Sequence, residues 1–278
     1  MILVIGQTGY LGSLLHSSGF REKIVPGSSL KLSRILHSIP KNKLFELGIE
    51  QEQITDVIIV ASKPKLEKWT LEDFDSNIEI VQGVVKHFEE SRITFFSTAD
   101  VYGNSPDLPL TESSDLAGNT LYAKSKILSE KILKNSYPSE KILIFRLPGV
   151  YGGSLKAHGL MDLFVRNIRC DRPIILDSED VLAVRRDWVY GPDIVRMMDS
   201  IINGNQFVDG VFNLVSGNAP LISQWIEYAE RITNSKAKVA IRDPMVHHEI
   251  FDLVFNQRKL SSCFPEFAFT SVENSLIL

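Results

Sequence analysis

Residues 4–12 read VIGQTGYLG, with glycines at Gly6, Gly9 and Gly12. A glycine inside a strand or helix costs about 0.5–1 kcal/mol relative to alanine, so a cluster of them needs a backbone reason. The residues before the cluster, Ile2–Ile5, are an apolar run rich in β-branched side chains and stopped by glycine, the pattern of a buried strand. Those after it, Tyr10–Ser18, suit a helix. A strand, then Gly-x-x-Gly-x-x-Gly, then a helix is the setting in which a glycine loop holds a dinucleotide. The first glycine allows the tight turn, the second lets the backbone approach a pyrophosphate, and the third lets helix and strand pack closely. Free N–H groups at the helix start then attract the phosphate charge. Gly6, Thr8, Gly9, Tyr10, Leu11 and Gly12 are therefore candidate cofactor contacts.

Outward from this loop the same alternation continues. Lys23–Val25 reads as a second strand ended by Pro26-Gly27, and Asp56–Ser62 as a buried strand. Asn77–Glu90 reads as an amphipathic helix, Arg92–Ser97 as a strand, and Tyr122–Asn135 as a helix. Lys141–Leu147 is a strand that Pro148-Gly149 ends. Short apolar strands alternating with helices predict a parallel sheet covered on both faces. Right-handed crossovers then make it an α/β doubly wound parallel sheet of the Rossmann type. After Gly153 the alternation fades into helices at Leu160–Ile168, Asp193–Ile202 and Ser223–Thr233, with short strands near Pro173–Leu176 and Val211–Val215. The expected organisation is a dinucleotide-binding domain over residues 1–152, to which 184–213 returns. A smaller, mainly carboxy-terminal substrate-binding portion covers 153–183 and 214–278.

Composition excludes several function classes. Hydrophobic residues at 44% and charged residues at 23% describe a soluble globular chain. A net charge of −4 provides no basic footprint for nucleic acid. No signal-peptide pattern opens the chain, and no apolar run is long enough to cross a bilayer, so no membrane partner is expected. Cys170 and Cys263 are too few for a disulfide framework, which fits a reducing cytoplasm. The histidines, His247-His248 included, lack metal-ligand spacing, so no metal is expected.

The chemistry lies further along. Tyr122 and Lys126, four apart, share one helix face. A phenol titrating near 10 is a poor acid or base at neutral pH. A neighbouring ammonium and an oxidised nicotinamide both favour phenolate, so the pair can trade a proton with a sugar hydroxyl or carbonyl. Upstream, Phe96-Ser-Thr-Ala-Asp-Val-Tyr-Gly103 closes a strand, and parallel sheets bind ligands at the carboxyl ends of their strands. That rule puts the Thr98 hydroxyl near the glycine loop. After the second strand, an acidic residue for a free ribose 2′-hydroxyl is expected about 20 residues on. The stretch Pro26–Lys31 followed by Arg34 has none, which favours NADP over NAD.

These residues resemble the extended short-chain dehydrogenase/reductase family, the NAD-dependent epimerase/dehydratase group that modifies nucleotide sugars. The resemblance runs along nearly the whole chain. It rests on Gly6, Gly9 and Gly12, on Ala61-Ser62, on Thr98 before Val101-Tyr-Gly103, and on Tyr122 with Lys126. Arg146-Leu-Pro-Gly-Val-Tyr-Gly152, Arg186-Asp-Trp-Val-Tyr190 and Val211-Phe-Asn-Leu-Val-Ser-Gly217 match later family segments. The resemblance implies that Thr98 hydrogen-bonds the reacting sugar oxygen and that Tyr122 is the general acid/base. It implies that Lys126 lowers the phenol's pKa and holds the nicotinamide ribose, with Tyr122, Ala61, Ser62 and Pro148 as further cofactor contacts. Asp100 and Arg186 join Thr98 and Tyr122 on the substrate, Arg186 at the diphosphate, where its forked guanidinium suits phosphate. A homodimer is a family expectation.

Departures from the family pattern narrow the reaction. Dehydratases of the group carry Asp-Glu after the threonine, where this chain has Ala99-Asp100, so dehydration is disfavoured. Gly149 replaces an asparagine usual in epimerases, and reductases of the dTDP-4-dehydrorhamnose type also lack it. The residues Gly210–Trp225 are similar in pattern to that reductase group. The expected activity is reduction of a 4-keto nucleotide sugar by hydride from NADPH, with the proton from Tyr122. A nucleotide-sugar 4-epimerase retaining NAD, or a non-catalytic dinucleotide sensor, is the alternative.

Overall fold

The computed structural model describes residues 1–19, 23–24, 36, 40, 44, 49–62, 69–152, 159–204, 207–242 and 250–275. Met1–Gly103, Leu116–Arg146 and Val195–Phe212 form one compact unit. Asn104–Asp115, Leu147–Ile194 and Asn213–Leu278 form a second.

In the first unit, β1 (Ile2–Ile5) leads through the glycine loop into α1 (Tyr10–His16). Next come β2 (Asp56–Ile59), α2 (Leu71–His87), β3 (Arg92–Thr98), α3 (Leu121–Ser136) and β4 (Ile142–Leu147). The sheet runs β1-β2-β3-β4 and is completed by a strand at Gly210–Asn213. β1, β2 and β3 are parallel, with Ile2 opposite Asp56 and Asp56 opposite Arg92. Every residue of β1, β2 and β4 is buried, so both faces of the sheet are covered.

Ile24 makes an isolated parallel bridge to Ile2, whose other neighbour is Asp56. The chain therefore leaves β1 to one side and returns on the other, so the strand order reverses beside the glycine loop. Such a reversal is where doubly wound sheets bind ligands. Of the expected strand Lys23–Val25, Ile24 makes that bridge and Val25 lies outside the described residues.

Packing and capping fix the flanking helices. Leu3, Ile5, Val57, Ile59, Val84, Ile93, Phe95, Leu133 and Ile144 share one core. α2 begins at Leu71 rather than Asn77 because Thr70 caps it. The Asp73 amide donates to the Thr70 hydroxyl (3.3 Å), and the Thr70 amide donates to the Asp73 carboxylate (3.0 Å). This reciprocal box satisfies two otherwise unpaired donors, and Glu72 and Asp73 place negative charge in the first turn.

In the second unit, Pro148 interrupts rather than ends the extended chain, which resumes as β5 (Gly149–Tyr151). α4 (Leu160–Arg169), β6 (Ile174–Leu176), β7 (Trp188–Tyr190) and α5 (Gly191–Asn203, which crosses from this unit into the first) follow. After β8 (Gly210–Asn213, in the large sheet) come α6 (Ile222–Thr233) and β9 (Val239–Ile241). β5 pairs with β7 and β6 with β9, both in parallel. Tyr151, Phe164, Trp188, Tyr190 and Trp225 build this unit's own core. Trp188 and Trp225 lie 4.6 Å apart, within the range for aromatic attraction. Among the described residues no helix is long and apolar enough to cross a membrane.

Candidate active site

The glycine loop is held by its own backbone. The Gly9 amide donates to the Gly6 carbonyl (3.0 Å), and the Ser13 amide to the Gly9 carbonyl (2.9 Å). Gly6 sits at φ +101°, and a Cβ there would lie 2.5 Å from the Ala61 nitrogen. Gly12 has a tighter reason: its Cβ would meet the Gly6 carbonyl oxygen at 2.2 Å. Gly9 differs from both, since a Cβ there meets only the Gly6 oxygen, at 3.3 Å, and Gly9 is exposed. Two glycines thus compact the turn and one leaves an open face, the cradle a pyrophosphate needs. Thr8 is exposed beside it, Tyr10 and Leu11 are half-buried, and Ala61 and Ser62 follow the end of β2 next to Gly6. The residues present fit a dinucleotide.

Thr98, the last residue of β3, caps the single turn Ala99–Tyr102, its hydroxyl accepting from the Asp100 amide (3.2 Å). α3 starts at its own cap, Thr120, whose hydroxyl accepts from the Ala123 amide (3.1 Å). Helical spacing then carries Tyr122, Lys126 and Glu130 along one face. The side chains of Thr98 and Tyr122 hydrogen-bond. Trp69 meets the Tyr122 ring edge-on, with centroids 5.2 Å apart. Asn77 on α2 ties the strand end to this helix: its amide donates to Ser62 (3.2 Å) and Ser125 (3.3 Å). Ser125 in turn donates to the Tyr122 carbonyl (2.7 Å).

The electrostatics run opposite to one expectation. Burial and the nearby Asp100 carboxylate push the Tyr122 phenol up to about 12, and the Thr98 bond only partly offsets them. Lys126 is turned to the strand instead. Its ammonium donates to the Phe96 carbonyl (2.9 Å) and lies 4.7 Å from the centre of the Phe95 ring. Burial pulls Lys126 down to about 8, with Glu130 pushing back. Burial and Asp100 thus act against the lowering by Lys126 that the resemblance implies.

Of the predicted residues, the first unit brings together Thr98, Asp100 and Tyr122, turns Lys126 to the Phe96 carbonyl, and places Ala61 against the glycine loop with Ser62 bonded to Asn77. Pro148 and Arg186 belong to the second unit. There the Arg186 guanidinium donates to the carbonyls of Arg185 and Phe251 and stacks on the Phe251 ring at 5.3 Å. Its neighbour Asp187 is buried and accepts from Ser216 N (3.1 Å), Ser216 Oγ (2.7 Å) and Gly217 N (2.9 Å). Burial nonetheless pushes the Asp187 carboxyl up to about 7. Gly149 is accounted for by its strand partner: a Cβ there would lie 2.4 Å from Trp188 Cδ1. The indole fills the space where a larger residue would stand.

Sequence reasoning missed Trp69, Asn77, Glu130 and Asp187. Glu130 carried a signal, its place one turn beyond Lys126, and Asp187 another, its place in the matched segment Arg186–Tyr190. The stretch Pro26–Lys31 with Arg34, on which the NADP preference rests, and His247-His248 lie outside the described residues. Among the described residues no group of His, Cys, Asp or Glu could hold a metal ion.

Comparison with known proteins adds a family. A model of the NAD dependent epimerase/dehydratase family matches residues 2–214. The chain is 25% identical to dTDP-4-dehydro-6-deoxyglucose reductase of Escherichia coli, over 88% of this chain and 85% of that protein. Its fold is similar to that of dTDP-glucose 4,6-dehydratase from Bacillus anthracis, solved with NAD (TM-score 0.77, 18% identity, 99% and 93% of the two chains). It is similar as well to RMD from Pseudomonas aeruginosa, solved with NADPH (TM-score 0.75, 17% identity, 99% and 95%).

Proposed function

Because the chain belongs to the NAD-dependent epimerase/dehydratase family, we propose that it reduces a 4-keto group on a nucleotide-activated sugar, with Tyr122 as the proton donor. What supports this reading is the buried Tyr122 phenol beside Thr98, which burial and Asp100 favour in its protonated form. A ketone reduced by hydride becomes an alkoxide and needs a proton. Tyr122, beside Thr98, carries one, which burial and Asp100 hold on the phenol until the developing alkoxide, a stronger base, takes it. An oxidation step would need the opposite, a phenolate. The alanine at Ala99, where dehydratases of the family carry a carboxylate, favours reduction further.

In this reading Gly6, Thr8, Gly9, Tyr10, Leu11 and Gly12 hold the dinucleotide phosphates and Ala61 and Ser62 flank them. Lys126 and Pro148 hold the nicotinamide end. A bound reduced nicotinamide supplies the hydride. Thr98 orients the sugar carbonyl oxygen, and Tyr122 passes its proton to that oxygen. Asp100 stands beside the sugar and keeps the phenol neutral between turnovers. Arg186 pairs with the diphosphate by exchanging backbone carbonyls for phosphate oxygens, a charge-assisted bond stronger than the one it gives up. NADPH is the preferred cofactor on the non-acidic stretch Pro26–Lys31 and Arg34.

The test is a panel of 4-keto and 4-hydroxy nucleotide sugars with NADPH or NADH. Loss of nicotinamide absorbance and a product heavier by two hydrogens are expected with a 4-keto sugar. Interconversion of 4-hydroxy epimers by protein carrying non-dialysable NAD would replace this reading with a 4-epimerase. Dinucleotide binding with no turnover on any member would leave a sensor.

A further inference from the structure

Behind Tyr122 and Lys126 lies a buried charged network that the proposed chemistry does not use. Glu130, on the same face of α3, is almost completely buried, at 1% exposure. One carboxylate oxygen accepts from Ser97 Oγ (2.6 Å) and Arg146 Nε (3.1 Å). The other accepts from Arg146 Nη2 (2.8 Å) and, more distantly, from Lys134 (3.4 Å). Arg146 is itself fixed by donating to the Tyr102 hydroxyl (2.9 Å), over whose ring it stacks at 5.0 Å. Lys126, 4% exposed, is the second buried cation here. Facing it are the Phe95 ring and Phe96 carbonyl on β3 and the charge of Glu130 one turn along α3, with Arg146 on β4 bonded to Glu130.

Glu130 is thus a buried anion near two buried cations, hydrogen-bonded to Arg146 and acting on Lys126 from one helical turn away. A guanidinium does not give up its proton in a protein, whereas a buried lysine does so readily. Lys126 is therefore the member that yields if the anion is lost. One carbonyl and one ring face cannot replace the solvation of an ammonium.

We propose that Glu130 is a positioning residue whose carboxylate, clamped by Ser97 and Arg146, keeps Lys126 in its charged, dinucleotide-holding form. The functional half of this statement rests on the role given above to Lys126; the electrostatic half does not. A purely structural Glu130–Arg146 pair would behave differently. Removing either partner of such a pair weakens the fold and leaves Lys126 alone. In the proposed network the two removals act on Lys126 with opposite sign. Without Glu130 the ammonium loses the carboxylate that favours its charge, whereas without Arg146 that carboxylate has one competing cation fewer.

The experiment measures the titration of Lys126 by NMR on full-length, cofactor-free protein with isotope-labelled lysine, the signal being assigned with Lys126→Arg. The wild type is expected to titrate near 8. Glu130→Gln lowers the midpoint by about one pH unit or more, and Arg146→Gln raises it. Arg146→Lys, which restores the cation, returns it toward the wild-type value. Should Glu130→Gln not fold, Glu130→Asp, with its carboxylate withdrawn by one methylene, gives a smaller downward shift. Midpoints unmoved, or moved the same way in the glutamate and arginine variants, overturn the inference. NADPH and NADH affinity, measured against pH on the same samples, tests the reading beneath it. Affinity that falls as Lys126 loses its proton supports the lysine's role. Opposite midpoint shifts with flat affinity leave the electrostatic role of Glu130 standing and overturn its functional half together with the role given to Lys126.

Discussion

Replacing Gly12 by alanine probes the glycine loop at the point where the structure leaves least room. The added Cβ would lie 2.2 Å from the Gly6 carbonyl oxygen, 2.6 Å from Gln7 Cα and 2.8 Å from the Gln7 carbonyl carbon. Non-bonded heavy atoms settle at about 3.5–4.0 Å, so backbone must retreat by about 1 Å, and no flexible side chain is there to absorb the shift. Overpacking of this kind costs about 1–3 kcal/mol, which for a chain of this length lowers the unfolding temperature by about 2–5 °C. The retreat also carries the Gly6 carbonyl and the Gly9 amide out of register, and a loss of about 1.4–2.8 kcal/mol of binding is a 10- to 100-fold drop in dinucleotide affinity. Thermal unfolding with and without NADPH or NADH, and a titration of each, measure both effects. Gly9→Ala is the internal control. Its Cβ meets only one atom, at 3.3 Å, so the fold keeps nearly its wild-type stability while the methyl occupies the open face meant for phosphate. A Gly12→Ala protein with wild-type unfolding temperature and affinity would refute the close-approach argument.

Other consequences are as specific. Asp187 has a folded pKa of about 7 against 3.8 unfolded, so the folded state binds the extra proton between those values, and this stabilisation is lost as pH rises through 7. Asp187→Asn removes the dependence and misplaces an amide among three donors, at a cost of about 1–3 kcal/mol. The stability gap between wild type and variant, read from urea unfolding, is therefore wider at pH 5.5 than at pH 8; a gap independent of pH contradicts it. Gly149→Asn, which restores the residue usual in epimerases of the family, collides with Trp188 and destabilises the protein, whereas Gly149→Asn with Trp188→Phe recovers part of the loss in a thermal scan. Equal destabilisation in both would show that the indole is not what excludes the side chain.

The first sheet unit was legible because its signals are local. β1 ends at Ile5, where the glycine loop begins, and β4 reaches Leu147 as its apolar run does. The early start of α2 at Leu71 escaped because Thr70 and Asp73 act as a cap only once both side chains fold back, and the apolar periodicity begins later. Resumption of the chain as β5 after Pro148-Gly149 was hidden because its partner, β7, lies far along the sequence. Tyr122 and Lys126 stood out as a spaced pair, and the structure puts Tyr122 beside Thr98 and Lys126 on the Phe96 carbonyl. The direction of the phenol's pKa did not follow from that spacing. It is set by burial and by Asp100, which no count of residues between tyrosine and lysine contains.

The central claim is that the hydroxyl of Tyr122 delivers the proton. Tyr122→Phe deletes that oxygen and leaves the Trp69 contact and the helix intact. Steady-state turnover of a 4-keto nucleotide sugar, measured beside dinucleotide affinity, is the most direct test. The account predicts kcat lower by about 100- to 10,000-fold with dinucleotide affinity unchanged. Turnover within a few-fold of wild type would contradict it.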